Sequence, residues 1–116
     1  MQKLKVEYQR KEDRGTLTQV NTGDWKQLNI LEIKKGNTFG GHYHKEKEEL
    51  FYVIFGKVNM MIQNQLEETP VYVEILSKGD CILIEPYEEH SLIAIQDTTI
   101  VEVLSQPYSE TDTYEY

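Results

Sequence analysis

The chain has 116 residues, a formal net charge of −8, a pI near 4.8 and one cysteine. This length predicts a single domain, and the acidic balance argues against a nucleic-acid backbone or an anionic membrane surface as a partner. The lone Cys81 excludes an internal disulfide and indicates a reducing compartment. Because the N-terminus lacks signal-peptide character and no apolar run approaches ~18 residues, we expect a cytoplasmic protein.

The apolar runs are short, rich in β-branched and aromatic residues, and separated by Gly, Pro, Asn or Asp, which is typical of an all-β domain. Their spacing of roughly ten residues predicts a sandwich or barrel. In chain order, the predicted strands are Lys3–Tyr8, Thr16–Val20, Gln27–Ile33, Phe39–His44, Leu50–Phe55, Lys57–Gln63, Val71–Leu76, Asp80–Ile84, Ser91–Ile95 and Thr99–Leu104. We predict one domain over residues 1–116, with an irregular acidic, tyrosine-rich tail at about 106–116.

Alternation along these strands predicts which side chains face the interior. Val58, Met60 and Ile62 share one face, as do Val71, Val73 and Ile75. Phe51, Val53 and Phe55 follow Glu49 in alternation and are expected to line the interior of a regular strand, whereas a bulge after Glu49 would reverse this. Gly56 interrupts two strand-like runs and is predicted to be a hairpin glycine. Cys81, flanked by aliphatic residues, is expected to be a buried, inert thiol.

The three histidines carry the clearest functional signal. His42 and His44 are two residues apart, so on a strand their imidazoles point to the same face. Glu49 opens the next apolar run, and His90 lies in a separate turn-like segment. Three imidazoles and a carboxylate form a site for Zn, Fe, Mn, Ni or Co, with Glu48 as the competing carboxylate. The alternative is a set of histidines hydrogen-bonded inside a barrel without a metal.

The spacing of these residues resembles the two motifs of the cupin superfamily. The first motif, G-x5-H-x-H-x3/4-E-x6-G, is matched at every position by Gly36, His42, His44, Glu49 and Gly56. The second, G-x5-P-x-G-x2-H-x3-N, is matched in part: Gly79 and His90 fit, whereas Glu85, Tyr87 and Ala94 replace the proline, glycine and asparagine. The resemblance implies a double-stranded β-helix (the cupin jelly-roll barrel), a metal held by the matched histidines and glutamate, and a homodimer. The turn before His90 is expected to differ in shape.

A second resemblance points to carbohydrate chemistry. Residues 12–18, Glu-Asp-Arg-Gly-Thr-Leu-Thr, are similar to the opening of sugar 3,4-ketoisomerases and of the cupin domain in capsular-polysaccharide bifunctional reductases. Residues 40–45, Gly-Gly-His-Tyr-His-Lys, are similar to their R-G-x-H-x-H motif, with Gly40 at the arginine position. This likeness implies a sugar or sugar-nucleotide ligand.

We therefore predict a metal-dependent isomerase or epimerase acting on a sugar derivative, with the metal polarising an oxygen next to the C–H that loses its proton. Glu85 is the predicted catalytic base; a metal-bound hydroxide, or His42 or His90 in a metal-free site, are the alternatives. Phe51, Arg14 and Tyr87 are the predicted substrate contacts. The alternative role for Arg14 is a surface ion pair with Glu12 or Asp13. The alternative role for Tyr87 is purely structural, as part of a turn.

Two other functions fit the same residues. The ligand set with open positions also suits an Fe- or Mn-dependent dioxygenase. The other function is that of a non-catalytic sugar-binding module, which requires a ligand site but no catalytic group.

Overall fold

A computed structural model of the chain describes residues 1–67 and 70–115, with the backbone alone for Glu115. Its strands, in chain order, are β1 Gln2–Leu4, β2 Tyr8–Glu12, β3 Gly15–Gln19, β4 Gln27–Ile33, β5 Thr38–Tyr43, β6 Glu49–Phe55, β7 Lys57–Asn64, β8 Tyr72–Ser77, β9 Cys81–Ile84, β10 Glu88–Ala94, β11 Thr98–Leu104 and β12 Tyr114–Glu115. A 3-10 helix, Glu110–Asp112, precedes β12. Within the described part of the chain, no helix combines the length and apolar character needed to cross a membrane.

Two five-stranded sheets form the barrel. One has the order β1-β9-β6-β11-β4 and the other β12-β5-β10-β7-β8. All of their strand pairs are antiparallel. Each sheet buries one face against the other, as the alternating apolar residues require. The predicted all-β jelly roll is confirmed.

The core lies between the sheets and follows the predicted alternation along β7. Val58 and Met60 are fully buried and Ile62 nearly so. Cys81 is buried as predicted, and burial raises the pKa of its thiol to about 11. A thiol with this pKa stays protonated at neutral pH, which agrees with the inert character expected of Cys81.

The alternation fails at the end of β6. Phe51 and Val53 are buried as predicted, but Phe55 is 61% exposed. The register of β6 against β11 shifts at this point, because Val53 pairs with Ile100 while Phe55 pairs with the preceding Thr99. Such a bulge leaves one residue of β6 unpaired and turns the strand. The interior position predicted for Phe55 is therefore wrong.

The face shared by Val71, Val73 and Ile75 is turned to solvent, with each side chain more than half exposed. Strand β8 lies at the edge of its sheet, next to β7 alone. The shared face was predicted correctly, but it lies outside the core.

Both ends of the chain differ from their predicted structure. The predicted strand Lys3–Tyr8 is split between β1, which pairs with β9, and β2, which forms an exposed hairpin with β3. The tail was predicted to be irregular, but it contains the 3-10 helix and β12, which pairs with β5. Of the predicted tail, Tyr116 lies outside the described residues. Tyr114 stacks on Tyr43, with 5.4 Å between ring centroids, so contacts with the barrel order this segment.

Gly56 connects β6 to β7 with a φ of 97°, as predicted for a hairpin glycine. A Cβ added here would lie 2.4 Å from the carbonyl oxygen of Asp97, whereas Gly79, at a φ of 90°, has open space around it. We expect Gly79→Ala to lower the free energy of unfolding by about 1–2 kcal/mol through backbone strain alone. Gly56→Ala should cost about 3–5 kcal/mol because a steric clash is added to the strain. Urea unfolding of both variants measures the difference, and equal losses would contradict the clash.

Candidate functional site

Four predicted side chains converge between the two sheets. Strand β5 carries His42, and His44 follows at its end. Strand β10 carries His90 directly opposite His42 in the strand register. Glu49 begins β6 in the other sheet, and its side chain is 2% exposed. The structure therefore brings together all four residues predicted as metal ligands.

The distances within the cluster are short. His44 Nε2 lies 2.6 Å from Glu49 Oε1, and His90 Nε2 lies 3.4 Å from Glu49 Oε2. One ligand atom from each of His42, Glu49 and His90 lies within 4.8 Å of the other two. The ring centroid of His42 is 5.0 Å from that of His44 and 5.0 Å from that of His90. We call His42, His44, Glu49 and His90 the imidazole–carboxylate cluster.

Backbone carbonyls orient two of the imidazoles. His44 Nδ1 is 2.6 Å from the carbonyl oxygen of Asp112, and His90 Nδ1 is 3.0 Å from that of Glu88. A carbonyl oxygen only accepts, so each Nδ1 carries the hydrogen and each Nε2 faces Glu49. An anchored Nδ1–H is the arrangement that usually holds metal-binding histidines in place.

Burial and mutual interaction shift the pKa values of the cluster. Burial alone would raise the pKa of Glu49, but its close contacts with His44 and His90 hold the pKa well below its usual range. For His90 burial alone would lower the pKa, and its interactions with Glu49 outweigh that effect and raise it. Burial, followed by the nearby His90, lowers the pKa of His42 to about 4. At neutral pH Glu49 is thus a carboxylate and His42 a neutral imidazole with a free lone pair.

These properties fit a divalent metal ion. Imidazole nitrogens and a carboxylate oxygen are ordinary ligands for first-row metals at about 2.0–2.2 Å. Glu49 Oε2 is buried and accepts no hydrogen bond from the described residues. An unsatisfied buried carboxylate oxygen is costly unless a ligand or ion completes its coordination. The donor set and this atom agree with the predicted metal, although metal binding itself stays a prediction.

The cluster lines a cavity of about 200 Å³. This is smaller than the about 300–1,000 Å³ of drug-sized ligand sites, so it suits a single sugar ring with the rest of a larger ligand outside. Phe51 lines the cavity as predicted, and its ring contacts His90 edge-on at 5.9 Å between centroids. Leu31 and Leu92 add apolar surface.

The sequence reasoning missed several polar residues of the cavity, among them Glu102, Asn29 and Lys47. Glu102 and Asn29 line it from neighbouring strands, and Asn29 Nδ2 donates to Glu102 Oε1 at 2.8 Å. Burial and then the nearby Glu49 carboxylate raise the pKa of Glu102 to about 7. Lys47 also lines the cavity, with a side chain buried to 2% exposure.

A signal for Glu102 was present in the sequence. It alternates on β11 with Ile100 and Leu104, which are both buried. A lone carboxylate in a core-facing position indicates a functional group more often than a structural one. No comparable signal marked Lys47, because it lies in a run of charged residues that is typical of a solvated loop.

Other predicted site residues lie elsewhere. The Arg14 side chain is 81% exposed in the turn of the β2–β3 hairpin and donates to Glu12 Oε2 at 2.8 Å, which is the alternative considered for it. Glu85 does not line the cavity; its Oε1 accepts a hydrogen bond from Gln2 Nε2 at 2.8 Å. Its position therefore does not support the predicted role as pocket base. Glu48 is likewise outside the cavity, so the carboxylate turned inward is that of Glu49.

Tyr87 belongs to the turn before His90 and also lies outside the cavity lining. Its φ of 69° is the left-handed conformation that a glycine at this position would adopt. The Tyr87 N–H donates to the carbonyl oxygen of His44 at 2.6 Å, and its ring stacks on Tyr43 at 6.3 Å. These contacts offset the backbone strain. The expected change in the shape of this turn stays a prediction, and the tyrosine within it takes a conformation that favours glycine.

Solved structures of known proteins share this fold. The QdtA 3,4-ketoisomerase of Thermoanaerobacterium thermosaccharolyticum, in complex with TDP, aligns with a TM-score of 0.86 over 99% of this chain and 87% of its own, at 19% identity. The rmlC epimerase of Mycobacterium tuberculosis aligns with a TM-score of 0.80 over 96% of this chain and 66% of its own, at 16% identity. The capsular polysaccharide assembling protein CapF of Staphylococcus aureus gives a TM-score of 0.70 over 93% and 33%, at 23% identity. These likenesses confirm the cupin jelly roll.

Sequence comparison gives a relative and a family. The UDP-2-acetamido-2,6-beta-L-arabino-hexul-4-ose reductase of Pseudomonas aeruginosa is 37% identical over 68 residues, which are 58% of this chain. The matched part spans 18% of the reductase. The model of the polysaccharide biosynthesis C-terminal domain family matches residues 10–114, which is nearly the whole chain. The chain therefore belongs to the polysaccharide biosynthesis C-terminal domain family.

Proposed function

We propose that the cavity catalyses proton transfer at the carbon next to the keto group of a sugar derivative, as an isomerase or epimerase. The observation that carries this proposal is the imidazole–carboxylate cluster lining a cavity of sugar-ring size. Structural relatives named as a 3,4-ketoisomerase and an epimerase support it, because they place such chemistry on the same fold.

We propose His42, Glu49 and His90 as the ligands of a divalent metal, with His44 beside Glu49 as a further ligand. When bound, such an ion supplies Lewis-acid polarisation of the substrate oxygen.

The chain's own residues then have separate tasks. Glu102 is the cavity carboxyl that this ligand set leaves unused, and we assign to it the transfer of the substrate proton. Phe51 and Leu92 exclude water from the reacting carbons.

The reaction balances without an external oxidant or reductant. Removal of the proton from the hydroxyl-bearing carbon leaves its electron pair in an enediolate. Protonation of the former keto carbon, with transfer of the hydroxyl proton between the two oxygens, moves the keto group by one carbon. Return of the proton to the original carbon on the opposite face gives epimerisation instead.

Deuterium exchange tests the proposal. In deuterated water, protein loaded with each candidate metal in turn should incorporate deuterium next to the keto group of TDP-4-keto-6-deoxyglucose or a UDP-linked 4-keto hexose, as detected by NMR. Glu102→Gln should slow exchange by about 10²–10⁴-fold, the usual contribution of a general acid–base group. Glu32→Gln, a matched change of an exposed glutamate on β4, should leave the rate unchanged. Absence of exchange in every metal form with both substrates would refute the proposed activity.

A further inference from the structure

The Lys47 side chain is buried although its ammonium has no hydrogen-bond or ion-pair partner among the described residues. The residue is 2% exposed. Its Nζ atom is buried and forms no hydrogen bond with any described residue. None of the ion pairs among the described residues includes it. Its neighbour in alternation, Lys45, instead lies exposed, with Nζ 4.1 Å from the centre of the Tyr114 ring.

An unpaired buried ammonium is costly. Removing such a charge from water costs several kcal/mol unless an opposite charge or hydrogen-bond acceptors replace the lost hydration. Lysines of charged loops normally avoid this cost by keeping the ammonium in solvent. The inward position of Lys47 is therefore explained most simply by a partner that arrives with the ligand.

The surroundings of Lys47 show where that partner lies. Lys47 lines the same cavity as the imidazole–carboxylate cluster. Burial is the main cause of the low pKa of His42, and the positive charge of Lys47 adds to it, so the two groups are near each other. Lys47 Nζ also lies 5.5 Å from the centre of the Tyr108 ring. Tyr108 is 60% exposed and lines the cavity. The ammonium thus lines the same cavity as the cluster and has an exposed ring nearby.

We propose that Lys47 binds an anionic oxygen group of the ligand and thereby selects charged sugars, phosphorylated or carboxylated, over neutral ones. The inference rests on the proposed function for the sugar part of the ligand. Lys47 is a specificity residue in this assignment: it pairs with the phosphate or carboxylate while the sugar ring lies against the cluster. Charge-assisted hydrogen bonds of this kind are stronger than neutral ones and gain further from a site shielded from water.

Binding to two matched lysine variants tests the inference. Calorimetric titrations of wild-type protein, Lys47→Met and Lys45→Met use TDP, glucuronate and glucose as probes. Lys47→Met keeps most of the length of the side chain and removes its charge, so it should weaken binding of one anionic probe by about 10- to 100-fold. Lys45→Met removes an exposed charge two residues away and should leave every affinity unchanged.

The probes separate the outcomes. A loss confined to TDP assigns Lys47 to a phosphate, and a loss confined to glucuronate assigns it to a carboxylate. Equal affinity of wild-type protein and Lys47→Met for both anions would overturn the inference, as would failure of both anions to bind wild-type protein. The titrations measure binding without turnover. If binding depends on Lys47 but no deuterium exchange occurs, the proposed activity is refuted and this inference stands. If deuterium exchange occurs but binding does not depend on Lys47, this inference is refuted and the proposed activity stands.

Discussion

Replacing Glu49 with glutamine should abolish stoichiometric binding of Zn²⁺. The amide is a neutral, weaker ligand, and it also loses the charge that attracts His44 and His90 through contacts of 2.6 and 3.4 Å. We expect the affinity to fall at least about 100-fold, beyond the 10- to 100-fold typical of losing a residue that only supports a ligand. Elemental analysis of untagged protein, after dialysis against Zn²⁺ and then metal-free buffer, measures the change.

Glu48→Gln is the matched control for this experiment. It removes the same charge from the adjacent residue, whose side chain lines a surface groove with Leu50 and Trp25. We expect it to bind about one ion per chain, like the wild-type protein. If Glu49→Gln retained as much Zn²⁺ as Glu48→Gln, Glu49 would not be a ligand. Wild-type protein that retained no metal after dialysis against Zn²⁺, and also none after dialysis against Fe²⁺, Mn²⁺, Ni²⁺ and Co²⁺, would refute the metal part of the proposed function.

Replacing Asp112 with alanine should loosen the loop between His44 and Glu49. Its buried carboxylate accepts the Lys45 N–H at 2.9 Å and the Glu46 N–H at 3.3 Å, and its carbonyl oxygen accepts from His44 Nδ1. Loss of the carboxylate removes two acceptors from partly buried amides, which costs about 1–3 kcal/mol each where no water replaces them. Hydrogen exchange at residues 45 and 46 should accelerate at least about tenfold.

The effect should extend to the metal, because the same tail residue holds His44 in orientation. We expect Zn²⁺ affinity to fall about 10- to 100-fold in Asp112→Ala, the range seen when a supporting residue is lost. Glu110→Ala is the control, since it removes an exposed carboxylate from the same 3-10 helix. Asp112→Asn should recover part of the protection, because its amide oxygen still accepts one N–H. Unchanged exchange at residues 45 and 46 in Asp112→Ala would show that the tail does not support the loop.

The parts of this molecule that depend on short-range pattern were predictable from the sequence. Strand β4 matches its predicted bounds, and β7 differs by one residue, because alternation and a hairpin glycine define them locally. The spacing of His42, His44 and Glu49 was sufficient to place them together, since two of them share a strand face and the third begins the next strand.

The remaining features depend on contacts between distant residues. The bulge that exposes Phe55 arises from pairing with β11, and the ordered tail arises from docking on β5. Lys47 turns inward although its neighbours in sequence predict a solvated loop. Glu85 was predicted as the base from its place in an altered motif, yet the turn directs its carboxylate toward Gln2. Homodimerisation and cytoplasmic location stay predictions.

The link between His44 and Asp112 has a consequence for how the site matures. These residues are 68 positions apart, so the partner that fixes the His44 ring is synthesised long after the ring itself. Synthesis runs from the N-terminus at about 5–20 residues per second, which separates the two by several seconds. The His44 ring therefore gains its Nδ1 partner only after synthesis has reached residue 112, and the final geometry of the site cannot form before then.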